Sequence, residues 1–330
     1  GLLGSQDKRF EIVLCDDAST DNTKELLTKI HDERFHYYRN EKNLGAHKNW
    51  HHSLELGRGE WLYLVMGRDR MHGENIARLI ELLKSAQENG ITYFKDGYSK
   101  KDVVNIYDGM DAMLQFVHGD HPTGSIFNGK IFRAISNSGA YFENNGMFPE
   151  NYLRRDMLLK GKAAEIMSGV FCYPEVVIDP TKIKSNADTS KNIFDTFYAP
   201  RAQTKQKLQC IDMVEADLPG VFTPSENNRY FKAMFYSLMC MVSLHWRHLC
   251  KSYEWQAHYG HALRKVSVKE MLSNIHTAYK ETKTHLKEKG IYTFSKQMIM
   301  YYCLIKALVY FPAKTAVKKI YRTLRAKLQK

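Results

Sequence analysis

The stretch Phe10 to Thr23, FEIVLCDDASTDNT, decides the fold. Glu11 to Cys15 carries β-branched residues at Ile12 and Val13 and reads as a short buried strand. Asp16 and Asp17 close that strand. A polar turn follows, in which Thr20 or Asp21 is placed to cap the next helix. In an open α/β sheet, ligands collect just outside the carboxyl ends of the strands. Asp16 and Asp17 stand there, although an ordinary turn and helix cap would use the same residue types.

Outward from this stretch the pattern alternates. Apolar spacing at Leu26, Leu27 and Ile30 predicts a helix over Asn22 to Asp32, and Phe35 to Arg39 reads as a second strand. Asn43-Leu44-Gly45 is a turn, and the helix after it presents Lys48 near its start, where unpaired N–H groups and the dipole favour phosphate. Gly57 and Gly59 end that helix. Trp61 to Met66, WLYLVM, is a continuous apolar run and so a buried strand, ending in Gly67-Arg68-Asp69-Arg70. Glu74 to Asn89 is an amphipathic helix closed by Gly90, and Ile91 to Phe94 is a further strand. The alternation predicts a doubly wound, mostly parallel sheet. Two of its strands, ending at Cys15 and Met66, deliver carboxylates to one edge.

Beyond this, Asp108 to Val117 reads as a helix. His121-Pro122-Thr123-Gly124-Ser125 reads as a turn, Gly139 to Pro149 as a loop, and Glu150 to Lys160 as a helix. Ala163 to Ile166 and Glu175 to Ile178 read as short strands. The pattern fades over Thr181 to Arg201. From Gln203 onward it is almost wholly helical, over 203–217, 225–252, 255–289 and 293–328. The expected division is a first domain over 1–180, a linker over 181–202 and a helical region over 203–330.

The 330 residues suffice for a real core, and 44% hydrophobic with 25% charged is the composition of a folded protein. Six widely spaced Cys, with no CxxC, argue against a disulfide framework or a zinc ribbon and fit a reducing compartment. His245-x-x-His248 and His258-x-x-His261 have helical spacing but no acidic partner in pattern, and read as ordinary helix residues. The start, GLLGSQDKRF, is not a signal peptide. It resembles the end of a helix, so a fragment is expected. Net charge is +12, and Ile291 to Lys330 holds seven Lys, two Arg and no Asp or Glu. Met298 to Phe311 is apolar but too short for a confident membrane span. The basic amphipathic segment after it, with Val317, Ile320, Leu324 and Leu328 on roughly one side, reads as docking on an anionic membrane surface or as a helix packed on the first domain with a solvated basic face. No RNP, KH or helix-turn-helix pattern is present, so nucleic acid is not the expected partner.

FEIVLCDDASTDNT, then RNEKNLGAHKNW, then GEWLYLVMGRD resembles a family 2 glycosyltransferase of the GT-A fold over roughly residues 1 to 180. The resemblance implies an α/β, Rossmann-like doubly wound sheet followed here by an α-helical C-terminal region. It implies an enzyme, a hexosyltransferase that moves a sugar from a nucleotide-diphosphate donor, UDP-linked by expectation, to an acceptor hydroxyl with inversion. Asp16 and Asp17 match the acidic pair at the base and ribose of the donor. Asn43, Gly45 and Lys48 match the turn and helix start beside the nucleotide. Gly67-Arg68-Asp69 falls where the family has Asp-x-Asp, which holds a divalent cation against the diphosphate. Only Asp69 of that pair is present. It is the expected ligand of Mg²⁺ or Mn²⁺, with Arg68 sharing the phosphate charge. The resemblance implies that the family's first strand is expected before Gly1.

The general base is expected at the start of a helix after the acceptor loop. Glu150 is the best match and Asp156 the second choice, while His121, Thr123 and Gly124 are placed on the acceptor side. The expected acceptor is a glycan or lipid-linked glycan, in cell-surface polysaccharide or glycoconjugate synthesis. The expected place is cytoplasmic, peripheral on the inner face of the cell membrane. The alternative is a GT-A fold that binds nucleotide or glycan without turnover, for which the Gly-Arg-Asp sequence is the main support.

Overall fold

The structure, a computed structural model, describes residues 1–67, 69–87, 89–97, 105–118, 122–135, 139–143, 149–172, 198–252 and 264–308. The chain divides into two compact units, Gly1–Val176 and Val177–Lys330. Arg68, His121, Glu175 to Ile178, most of the expected linker, Trp255, His258, His261 and the basic segment beyond residue 308 lie outside the described residues.

The first unit is α/β. Strands β1 (Ile12–Asp16) and β2 (Phe35–Arg39) pair in parallel, joined through helix α1 (Thr23–Leu27). Helix α2 (Ala46–Leu56) leads to β3 (Trp61–Leu64). Then come the short β4 (Arg70–Met71), α3 (Ile76–Gln87), β5 (Ile91–Asp96), β6 (Asn105–Tyr107), α4 (Gly109–Phe116) and β7 (Ser125–Asn128). Helices α5 (Gly129–Ala134), α6 (Gly139–Glu143) and α7 (Glu150–Leu158) precede β8 (Lys162–Ile166) and β9 (Phe171–Cys172). The main sheet is mixed, in the order β3-β7-β5-β8-β6. Strands β5 and β8 pair in parallel, while β7 runs antiparallel to both β3 and β5.

All six residues of β5 are buried, because both faces of the sheet are covered. On one face Ile76, Leu79 and Leu83, one helical turn apart, place a stripe of α3 on Ile91, Phe94, Ile126, Ala164 and Ile166. On the other, Tyr93 and Phe127 meet α4 and α7. Tyr93 packs edge-on to Phe116 at 5.3 Å between ring centres, and Met113, Leu153 and Met157 are buried. From Tyr93 on, successive residues serve opposite helices, as the twofold strand period requires, while a register shift between Ile91 and Tyr93 lets Ile91 share a face with Phe94.

Several sequence expectations are corrected. The helix expected over Asn22 to Asp32 is only Thr23–Leu27, and it buries no side chain that would extend it. GLLGSQ holds a 3₁₀ turn at Leu2–Gly4, which Arg34 clasps through the carbonyls of Leu3, Ser5 and Asp7. The loop expected over Gly139 to Pro149 contains α6, whose Phe142 is buried against His51 of α2. Strand β6 and helix α5 were not expected. The helix expected from Gln203 begins at Pro200, inside the expected linker, with the proline at a first-turn position that needs no N–H donor.

The second unit is helical in its described part. It contains α8 (Pro200–Glu215), α9 (Pro224–Cys240), a π-helical turn Met241–His245, α10 (Trp246–Leu249), α11 (Val268–Glu288) and α12, over 294–308. Thr223 and Glu226 form a reciprocal capping box at the start of α9. Tyr230, Phe231, Phe235, Ile275, Leu286 and Met300 belong to its core. Trp246 is buried and donates to Glu270, a core residue as its type suggests. The described part of the chain has no helix long and apolar enough to cross a membrane.

Candidate active site

The parallel strands β1 and β2 leave Asp16 and Asp17 at their carboxyl ends, and the protein itself makes extensive use of both side chains. Asp16 is buried. Its Oδ1 accepts from the Ser19 amide at 2.9 Å, and its Oδ2 accepts from the Tyr37 hydroxyl at 2.7 Å and from Arg39 Nε at 3.2 Å. Burial pushes the Asp16 carboxyl up, but these bonds outweigh it and hold the group below the ordinary carboxylate value.

Asp17 Oδ1 accepts from the Leu44 amide at 2.7 Å and Asn40 Nδ2 at 3.0 Å, and Oδ2 accepts from the Gly45 amide at 2.9 Å. Its carboxylate thus sits on the amides of the turn that leads into α2, beside the place the sequence suggested for phosphate. A helix N-terminus favours any anion there, and in this protein Asp17 is one. Asn43 Nδ2 donates to the Asp17 carbonyl at 3.2 Å, closing the loop back on the turn. Gly45 takes φ +83°, which a side chain disfavours, and no atom lies near its absent Cβ. The turn therefore needs glycine for its backbone rather than for space. Lys48 is ion-paired with Glu143 of α6 at 2.6 Å.

Asp69 follows β3. Its Oδ2 accepts from the hydroxyl of Thr123, which in turn accepts from the Met66 amide at 2.9 Å. Thr123 is fully buried, and its carbonyl accepts from Lys95 Nζ at 2.9 Å. Gly124 donates its amide to Leu64 and accepts from the Asp96 amide, joining the ends of β3 and β5 at the start of β7. It has φ +88°, and a Cβ on it would come within 2.6 Å of the Asp96 carbonyl oxygen, so only glycine fits. Thr123 and Gly124 thus hold the ground beneath Asp69.

Sequence reading missed Asp96. It ends β5 as Asp16 ends β1, but the strand was expected to stop at Phe94. Asp96 is buried; it accepts from the Ser168 amide at 3.0 Å, from the Ser168 hydroxyl and from the Tyr63 hydroxyl at 2.9 Å. Burial, followed by the charge of Asp96, drives the Tyr63 phenol far above its ordinary value, so Tyr63 is a constant donor. The carboxylate at the end of an internal strand was the available signal.

A cleft of about 1860 Å³ runs between β1 and β3, each of which pairs with a strand on one side only among the described residues. Asp16, Asp17, Ser19, Met66, Gly67 and Asp69 line its end at the carboxyl edge, and Ile12, Leu14, Leu62 and Leu64 line its apolar depth. The structure therefore brings the two strand-end acidic groups to one cavity. Asn43, Gly45, Lys48, Thr123, Gly124, Glu150 and Asp156 are not among its lining residues.

Glu150 opens α7 directly after Pro149 and is fully buried. Asp156 lies six residues on, off that face, with a side chain 17% exposed. It accepts from Arg155 Nε at 2.8 Å and from the Tyr141 hydroxyl, while Tyr141 and Tyr152 stack at 5.2 Å. Burial, and then the bond to Asp156, push the Tyr141 phenol up to about 12. Of the two carboxylates proposed as base, only Asp156 reaches solvent in this conformation.

No group of three or more His, Cys, Asp or Glu side chains converges among the described residues. With Asp69 Oδ2 engaged by Thr123, a cation here would take a single protein carboxylate and complete its shell from a diphosphate and water. Mg²⁺ is commonly bound in that way, and the residues present fit it.

Comparison with known proteins places this geometry. The profile described as Glycosyl transferase family 2 matches residues 2–141. The UDP-Glc:alpha-D-GlcNAc-diphosphoundecaprenol beta-1,3-glucosyltransferase WfaP of Escherichia coli is 28% identical over 97 residues, covering 29% of this chain and 38% of that protein. The chain therefore matches well under half the length of that relative. Among solved structures, S. aureus TarS 1-349 aligns over 84% of this chain and 82% of that one, at 13% identity and a TM-score of 0.42. The mannosyltransferase PcManGT from Pyrobaculum calidifontis, in complex with GDP-Man and Mn2+, aligns over 94% and 81%, at 10% identity and a TM-score of 0.45. The family match spans the turn after β1, the α2 loop and the Gly67–Asp69 edge, and by it residues 2–141 are similar to a family 2 glycosyltransferase domain.

Proposed function

We propose that this protein transfers a sugar from a nucleotide-diphosphate donor, UDP-linked, to an acceptor hydroxyl with inversion at the anomeric carbon. The observation that carries this reading is one cleft lined by Asp17 and Asp69 within a domain similar to the family 2 glycosyltransferases. Asp17 and the loop it organises, with Asn43, Gly45 and Lys48, bind the nucleotide. Asp16 acts beneath them, holding the turn through Ser19, Tyr37 and Arg39. Asp69, with Arg68 beside it in sequence, would hold Mg²⁺ or Mn²⁺ against the diphosphate, and that ion would supply positive charge for the leaving group.

The base is a carboxylate of α7. It takes the proton from the acceptor hydroxyl as that oxygen attacks the anomeric carbon and the bond to the diphosphate breaks. Glu150 matches the family position, and the exposure of Asp156 supports it as the second candidate. Thr123 and Gly124 position Asp69, and His121 precedes them on the acceptor side. The E. coli relative's printed name, with its UDP-glucose donor and diphosphoundecaprenol-linked acceptor, supports a lipid-linked acceptor here. We place the reaction in cell-surface polysaccharide or glycoconjugate synthesis, at the cytoplasmic face of the membrane. The nine cations of the C-terminal forty residues, with no Asp or Glu among them, support that location.

The test is a screen of nucleotide sugars for thermal stabilisation with and without Mn²⁺, followed by release of nucleoside diphosphate from any donor that binds. Stabilisation by one donor and release that depends on acceptor support transfer. Stabilisation without release under any acceptor would favour a binding protein, and release insensitive to EDTA would remove the metal.

A further inference from the structure

Helix α12, over 294–308, turns a run of large apolar side chains to solvent. Phe294, Met298, Tyr301, Tyr302, Ile305 and Leu308 are all exposed, Phe294 at 77%, Ile305 at 61% and Met298 at 51%. At 100° per residue these six fall within an arc of about 120°. The opposite arc is buried: Lys296, Met300, Cys303 and Ala307 face the unit's core. The helix is firmly seated on that side. Lys296 is ion-paired with Glu215 and donates to the Ile291 carbonyl at 2.8 Å, and Tyr301 stacks on Tyr279. Its outward arc is therefore a fixed apolar surface on an anchored helix.

Water is an unfavourable neighbour for such a face. Two features of the chain say what covers it. The forty residues from Ile291 hold nine cations and no carboxylate, so the covering surface is anionic. The arc also contains two tyrosines, whose amphipathic rings suit a boundary between hydrocarbon and water. Lys306 flanks it, with Nζ 4.5 Å from the Tyr236 ring centre. Its opposite arc is buried against the unit's core, so the helix is placed to lie along a surface rather than across one.

We propose that the Phe294–Leu308 face inserts into the interfacial layer of an anionic membrane leaflet, with the lysines and arginines that follow it in sequence meeting the headgroups. This deepens the membrane-face reading above. It makes the apolar arc of α12, rather than the basic segment alone, the element that enters the lipid. Charge attraction brings the protein to the leaflet, and apolar burial retains it there.

The test is sedimentation of the full chain with vesicles of phosphatidylcholine alone or with added phosphatidylglycerol. The wild type is compared with F294S/M298S/I305S, whose three positions are solvent-exposed and whose folding is checked by circular dichroism. Wild type is expected to bind the anionic vesicles, and the triple variant to bind on the order of 100-fold more weakly. In F294W, added fluorescence should shift to the blue on anionic vesicles and be quenched by brominated lipid.

Wild-type binding unchanged in the triple variant, with no shift in F294W, would overturn the inference and leave a purely electrostatic membrane contact. No binding of wild type to anionic vesicles would overturn the membrane reading with it. A concentration-dependent dimer that the triple variant abolishes, with vesicle binding unaffected, would assign the face to a second copy of the chain. Diphosphate release in solution reads the transferase proposal separately.

Discussion

Asp17 and Asp69 occupy like positions, each just past the carboxyl end of a strand and each lining the same cleft, yet their surroundings differ. Asp17 accepts three hydrogen bonds, two of them from the amides of the turn that leads into α2. Asp69 accepts one side-chain bond among the described residues, from Thr123. One carboxylate is mainly committed to building the loop beside the cleft. The other is held in place through a single oxygen, with coordination capacity left over. A strand-end carboxylate is thus not a ligand contact by position alone; the donors around it decide how much of it a ligand can use.

The largest expected effect tests the Asp69 half of that contrast. Asp69→Asn keeps the bond to Thr123 but loses the charge. Turnover, read as nucleoside-diphosphate release, should fall on the order of 100-fold or more. Its urea midpoint should stay near wild type, and near-normal turnover would take Asp69 out of the site.

Asp17→Ala should do the reverse in the first instance. Leaving the Leu44 amide without its acceptor, and the Gly45 amide and Asn40 with only Asn43 and Asn49, should cost about 1–2 kcal/mol in urea unfolding. Asp17→Asn, which keeps a carbonyl oxygen, should lose less. Equal stability of Asp17→Ala and wild type would dissolve the comparison.

Gly124→Ala addresses the support beneath Asp69. With φ +88° and a Cβ 2.6 Å from the Asp96 oxygen, it should cost about 1–3 kcal/mol and lower turnover through the displaced Thr123. A stable variant with unaltered turnover would separate the Thr123–Gly124 corner from catalysis.

A smaller effect is expected in acid. Asp16 has its folded-state value below that of the unfolded chain, so its contribution is complete above the unfolded value, about 4, and is lost as pH falls through the folded one. Tyr37→Phe removes one of the bonds responsible. Its unfolding midpoint should therefore depend less steeply on pH than wild type between about pH 5 and about pH 3. Parallel curves would give Tyr37 no part in it.

The smallest stability effect belongs to Lys48→Met. It removes a solvent-exposed ion pair with Glu143, worth less than about 1 kcal/mol. Any larger change should appear in the KM for donor.

Much of the fold was legible because its signals are local. Phe35–Arg39 is a strand as expected, and the run from Trp61 and the helix ending at Gly90 lie close to where periodicity placed them. Helix α6 and strand β6 were missed because each is short and is held by distant partners, α6 by Phe142 on His51 and β6 by pairing with β8. The candidate site followed the same division. Asp16, Asp17 and Asp69 could be found at strand ends. Asp96 was hidden because an apolar run fades before the strand does.

By itself, then, the sequence determined which strands carry carboxylates to their ends, that the chain begins as α/β and continues as helices, and which family motif it bears. These depend on residue type and on periods of two and 3.6, which neighbours along the chain can express. Only the tertiary structure decided that Asp17 meets the turn that leads into α2, that Asp69 rests on Thr123, that Glu150 is buried while Asp156 reaches solvent, and that α12 turns its apolar arc outward. Each of these depends on groups brought together from far apart in the chain, or on which face of an element its neighbours cover, and neither is written in local periodicity.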